Sequence, residues 1–148
     1  MSKLSFQINL PKEAEKNDEK SDEKNKEMYE AISDFLNLDN KGIISIDIYD
    51  VKALLKDSKK FIMTMDEDES LAKAFSKAIE KEPEIKNATS LLINMSYPQK
   101  NPITSKDLIE FDKICKSEFK KCVFIKRGEV VDNNLNTVKK IAILATFN

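Results

Sequence analysis

The sequence predicts an α/β domain of the α+β two-layer kind. It should hold a four-stranded mixed sheet with helices packed on one face, in the order β-α-β-α-β-β, entered through a lead-in helix. Three observations predict it. From residue 61 onward, short apolar runs alternate with segments whose apolar residues recur every three or four positions. One of these runs, Leu91-Leu92-Ile93, is uninterrupted, as in a strand covered by other layers. The chain has 148 residues, a single-domain length, enough for one core that buries roughly two-thirds of the unfolded surface.

Leu4-Ser5-Phe6-Gln7-Ile8-Asn9-Leu10 alternates apolar and polar with period two, and Pro11 closes it. A lone strand is not stable in water. Residues 1–10 therefore form a strand-like segment that either joins a sheet edge, its own or a second copy's, or stays loose. In residues 11–27, Ala14 is the only apolar side chain beyond Pro11. That is too little to offset the entropy of ordering them, so a solvated, charged tether is expected. The domain itself spans residues 28–148.

A helix over about 24–38 places Met28, Ile32, Phe35 and Leu36 on one face. Asp39-Asn40-Lys41-Gly42 is turn chemistry, with Gly42 suited to a positive φ. The stretch Gly42-Ile43-Ile44-Ser45-Ile46-Asp47-Ile48-Tyr49-Asp50-Val51-Lys52 follows, an apolar run carrying two aspartates and leading into a short helix over 50–55. Phe61 to Met65 reads as a strand. Asp66-Glu67-Asp68-Glu69-Ser70 then sets acids at a helix start, where the dipole favours them. Leu71, Ala74, Phe75, Ala78 and Ile79 give that helix its buried face, and Pro83 ends it.

Thr89 to Met95 is the central strand, and a loop with prolines at both ends leads to Thr104 or Ser105 as helix cap. Leu108, Phe111, Cys115 and Phe119 form the apolar face of that helix. Cys122-Val123-Phe124-Ile125 is a strand, 126–136 a connection, and 137–147 the closing strand with Ile141, Ile143 and Ala145 on one side.

Composition excludes several function classes. The 25 basic and 26 acidic residues nearly cancel, and no basic stripe interleaved with aromatics suggests nucleic acid. The absence of histidine removes His-based general bases and most zinc sites. Cys115 and Cys122 lack metal-ligand spacing and read as buried free thiols, in keeping with a reducing, cytoplasmic setting. No leader peptide is evident, and no run approaches the roughly 18 apolar residues of a membrane helix, so no membrane is expected as partner.

Two acidic stretches remain. Residues 37–48 place Gly42 and Ile44 as an EF-hand loop would, but Lys41 and Ile48 stand where calcium needs acidic ligands. The acids at 66–69 are explained by a solvated helix start. With only Gly42 and Gly128 in the chain, no glycine-rich phosphate loop exists, so no cofactor is expected to bind to the chain alone. Asp47 and Asp50 allow two readings. They form a capping box for the short helix, worth about 1 kcal/mol, or they present two carboxylates that orient a water against a phosphate. Spacing does not choose between these.

The loop together with three later segments resembles the C-terminal half of the tubulin-like cell-division GTPase FtsZ, over residues 28–147. Tyr29-Glu30-Ala31-Ile32-Ser33-Asp34-Phe35-Leu36 is similar to the end of that family's central helix. Residues 42–51 resemble its catalytic loop, G-[LI]-x-N-x-D-x-x-D-[VI], with Ser45 in place of Asn. Leu91 to Ser96 is similar to its VLVNIT strand, and Cys122 to Ile125 with Asp132-Asn133-Asn134 and Val138 to Phe147 resemble its final strand pair.

The resemblance implies an FtsZ/tubulin C-terminal-domain-like fold. It also implies that Asp47 and Asp50 act catalytically only in trans, by reaching the GTP of a neighbouring subunit. The family's glycine-rich GTP-binding half and its membrane-recruiting tail have no counterpart here. A protein without GTPase activity of its own is expected, binding or capping filaments of full-length FtsZ-like subunits through Gly42, Ile43, Ser45, Asp47 and Asp50, and meeting GTP only through that partner. The alternatives are an interaction module that inherited the fold without a filament role and self-associates through residues 4–10, or one half of a split GTPase. No metal site is expected.

Overall fold

The computed structural model describes residues 5–9, 19–38 and 42–148, with side chains for 26–38 and 45–148. Four strands form the middle of one mixed sheet: β3 (Lys60–Asp68), β4 (Ser90–Tyr97), β5 (Phe124–Val131) and β6 (Lys139–Phe147). They lie in the spatial order β3-β6-β4-β5. β6 runs antiparallel to both β3 and β4, while β4 and β5 are parallel. Helices α3 (Leu71–Lys81) and α4 (Ser105–Glu118) make the two crossovers. This is the expected four-stranded mixed sheet.

The fold goes beyond that expectation at both edges and on the second face. β1 (Ser5–Asn9) pairs antiparallel with β3, Ser5 opposite Thr64 and Asn9 opposite Lys60, so this alternating segment joins its own chain's sheet. Short β2 (Gly42–Ile44) pairs antiparallel with the far end of β5. α3 and α4 share one face of the sheet, where Phe75 stacks on Phe111 and Phe119 at centroid distances of 5.0 and 5.8 Å. Such pairs contribute about 0.5–1.5 kcal/mol each beyond their burial. The opposite face is covered by the lead-in helix α1 (Glu19–Leu36) and by α2 (Ile48–Lys56). There Ile32, Leu36, Val51 and Leu55 pack on Phe61, Met63, Leu92 and Leu144.

This second layer explains why the strands are apolar on both faces. Phe61 and Met63 point to α1 and α2, whereas Ile62 points to α3. Thr64 is fully buried, and its hydroxyl is satisfied by donating 2.9 Å to the Ala78 carbonyl.

Several boundaries differ from the sequence reading. α1 begins at Glu19 rather than near residue 24, so residues 19–27 of the expected tether are helical, while 11–18 lie outside the described residues. β3 continues through Asp66, Glu67 and Asp68. These acids pair across the ladder with Ile141, Lys140 and Lys139 instead of opening the helix, and two of the three face lysines. Ser70 is the N-cap of α3. β5 extends through Val131, since its ladder with β4 carries on past the apolar run into residues expected as a connection. Gly42 does not take the expected positive φ but starts β2; among the described residues positive φ falls at Asn37 (58°) and Asn136 (65°).

Candidate functional site

The acidic loop sits between β2 and α2 at the sheet edge formed by β5. Its anchor is Ile46, 3% exposed within the α1/α2 core, which turns the flanking Ser45 and Asp47 outward to solvent. Gly42 and Ile43 are strand residues of β2, with Gly42 opposite Val130. Val51 and Leu55 bury the inner side of α2, so its first turn is held fast and projects Tyr49, 74% exposed.

Asp47 and Asp50 form a complete capping box. Asp47 Oδ1 accepts from the Asp50 amide at 3.0 Å, and Asp50 Oδ2 accepts from the Asp47 amide at 2.9 Å. Two of the orphan N–H groups at the helix start are thereby satisfied. Asp50 has a further partner that no local pattern announces. Lys126, 76 positions away on β5, donates 2.8 Å to the same Oδ2. Burial pushes the Asp50 carboxyl upward most strongly of any one influence. The Lys126 ammonium and the Asp47 amide together prevail, and its pKa lies below the ordinary 3.8.

The two acids therefore differ. Asp50 is a charged strut joining α2 to β5, partly screened from water. Asp47 is exposed, as are Ser45 and Tyr49 on either side of it in the loop. Lys52 lies between two aromatic rings, 5.3 Å from the Tyr29 centroid and 5.8 Å from that of Tyr49, adding a cation–π contact that steadies the first turn. The surface offered by the loop is thus one acid, one hydroxyl and one phenol on a rigid helix start. Tyr49 and Lys126 were not singled out in the sequence; the exposed aromatic inside the loop was a usable signal, the distant lysine was not.

The second acidic stretch is tied up internally. Asp68 accepts 2.9 Å from the Ser70 amide and pairs at 2.9 Å with Lys77, and these contacts, the lysine first, hold its pKa low. Cys115 is half-buried and its thiol is pushed up to about 12, chiefly by burial, which keeps it unreactive. Among the described residues no cluster of three or more His, Cys, Asp or Glu side chains is placed to hold a metal ion. No helix among them is long and apolar enough to cross a membrane.

No protein-family model and no curated protein sequence matches the chain. Its fold is similar to solved FtsZ and TubZ structures. An FtsZ mutant from M. jannaschii aligns over 93% of this chain and 42% of its own, with a TM-score of 0.61 and 22% identity. An empty FtsZ dimer from the same organism aligns over 72% and 32%, with a TM-score of 0.53 and 23% identity. GDP-form protofilaments of TubZ from Bacillus thuringiensis serovar israelensis give 74% and 32%, with a TM-score of 0.52 and 15% identity. The chain spans less than half the length of each of these structures. At such identities the likeness establishes the fold, and the expected FtsZ/tubulin C-terminal-domain-like architecture is borne out.

Proposed function

We propose that this chain is a filament-associated binding module. It docks through the loop face around residues 42–50 on a full-length FtsZ-like subunit and caps or poisons the growing filament. The observation that supports this reading is the rigid, outward presentation of Ser45, Asp47 and Tyr49 at the start of α2 on an FtsZ-like fold. With no phosphate loop in its sequence, the chain has no GTPase activity alone and meets GTP only in a partner's pocket, in the cytoplasm. Of the two acids, Asp47 is the one that reaches the partner. Asp50 holds the loop in shape through Lys126. One domain makes a small contact, so the affinity is about micromolar, near −8 kcal/mol.

The test is co-sedimentation and GTP turnover of the source organism's full-length FtsZ with increasing amounts of this protein. Pelleted filament falls, and turnover falls with it. Asp47→Ala weakens both effects while the protein stays folded. Unchanged pelleting and turnover at saturating protein reject the reading.

A second reading has its own supporting observation. Each carboxylate is folded back on the other's amide, which is what a purely structural cap requires. In that case the fold serves as an interaction module without a filament role, and Asp47→Ala changes stability alone.

A further inference from the structure

Large apolar side chains left in solvent are few among the described residues, and they are not scattered. Apart from Tyr49, they are Val123, Phe124, Ile125, Val131 and Ile109. The first four lie on β5 or immediately before it, and Ile109 lies on α4, which leads into that strand. Val123 is 80% and Phe124 46% exposed.

Part of the outer side of β5 is also open among the described residues. Its inner side is paired with β4 along its whole length, Phe124 opposite Ser90 to Val131 opposite Tyr97. On the outer side β2 meets only Glu129 and Val130, through an irregular register, and the chain then turns away into the acidic loop. Among the described residues no strand pairs with the outer side of residues 124–128. Their outward N–H and C=O groups form a ready template for another strand.

The charge next to this edge says what kind of strand fits. Lys126 and Arg127 lie on β5 itself, and exposed Lys120 and Lys121 lie in the turn that leads into Phe124. Lys126 is bound to Asp50 and Arg127 reaches Asp112 at 3.6 Å, so neither stands free as a guard charge. Exposed Lys116, Lys120 and Lys121 form no ion pair among the described residues. A second copy laid edge to edge would oppose lysines to lysines, which is unfavourable. An acidic strand would meet opposite charge.

We infer that the outer edge of β5 at residues 124–128 is a strand-addition site for an extended, acidic peptide segment of another protein. The docked segment adds to the sheet beside β5 and ends where β2 begins. Its backbone takes up the open edge, its apolar side chains cover Phe124 and Ile125, and its carboxylates meet Lys120 and Lys121. The site does not depend on filament binding.

The experiment uses the full chain and a labelled peptide alternating glutamate with valine, with a lysine–valine peptide as control. Anisotropy should show saturable binding of the acidic peptide alone, and amide exchange should slow at residues 124–128. The double variant K120E/K121E, exposed and outside the core, should lose at least about tenfold in affinity at low salt. A second variant, Phe124→Glu, should lose binding with the unfolding midpoint retained. Equal binding of both peptides, no binding of either, or protection elsewhere overturns the inference. So does protection of residues 124–128 that grows with protein concentration without peptide, which would make a second copy the occupant.

Discussion

Replacing Asp50 by alanine separates the two acids more sharply than any other change. Its Oδ2 accepts both the Asp47 amide at 2.9 Å and the Lys126 ammonium at 2.8 Å. Losing half of the capping box costs about 0.5–1 kcal/mol. A hydrogen bond to a charged group contributes roughly 1.5–3 kcal/mol when buried. The Asp50 side chain is 24% exposed and that of Lys126 36%, so water recovers much of this, and about 1 kcal/mol is the fitting figure. Asp50→Ala should therefore cost about 1.5–2 kcal/mol. Asp47→Ala removes one acceptor and should cost about 1 kcal/mol. With a urea dependence of about 2 kcal/mol per molar, the Asp50 variant unfolds at a midpoint lower by about 0.75–1 M, the Asp47 variant by about 0.5 M. Equilibrium unfolding followed by circular dichroism reads both. An Asp50→Ala midpoint equal to or above that of Asp47→Ala would refute the assignment of Asp50 as the strut.

Two further outcomes are expected. Asn94 is 2% exposed, and its amide donates to the Leu36 carbonyl at the end of α1; Asn94→Ala should cost about 2–3 kcal/mol and speed amide exchange in the last turn of α1, and unchanged exchange there would count against this tie. For acid stability, burial acts upward on both Asp50 and Asp107, yet Lys126 with the Asp47 amide, and the Thr104 amide with Lys139, bring both pKa values below 3.8. Depressed folded-state values mean stability that is whole above the unfolded pKa and is lost as pH falls through the folded one. The urea midpoint should hold from pH 7 to about 5 and fall below about 4, less steeply in Asp107→Asn; an equal slope in that variant would rule out the Lys139 pair as a source.

The elements that could be read from sequence were those whose signals are local. The period-two run at residues 5–9, the three- and four-residue spacing of α3, the cap expected at Thr104 or Ser105 and found at Thr104, and the capping box at Asp47 all depend on neighbours within one turn or one strand. The resemblance to the FtsZ loop located the candidate site in the same way. What stayed hidden depends on partners far along the chain. Asp66 to Asp68 look like helix-start acids until Lys139 and Lys140 are known to lie across from them. Arg127 and Glu129 look like a connection until β4 supplies a ladder. Lys126 becomes part of the site only because β5 passes under the first turn of α2.

The place of β6 has a consequence for how the molecule is made. This strand comes after every other element yet runs between β3 and β4, bonded to both. During synthesis, some eighty residues separate the emergence of β3 from that of the strand it must touch, and until then two apolar neighbours wait with no one between them. The ladders that β6 makes with β3 and β4 can therefore form only after this last strand has emerged. Loss of residues 139–147 would leave β3 and β4 without a strand between them, held together only by the helices that pack on them.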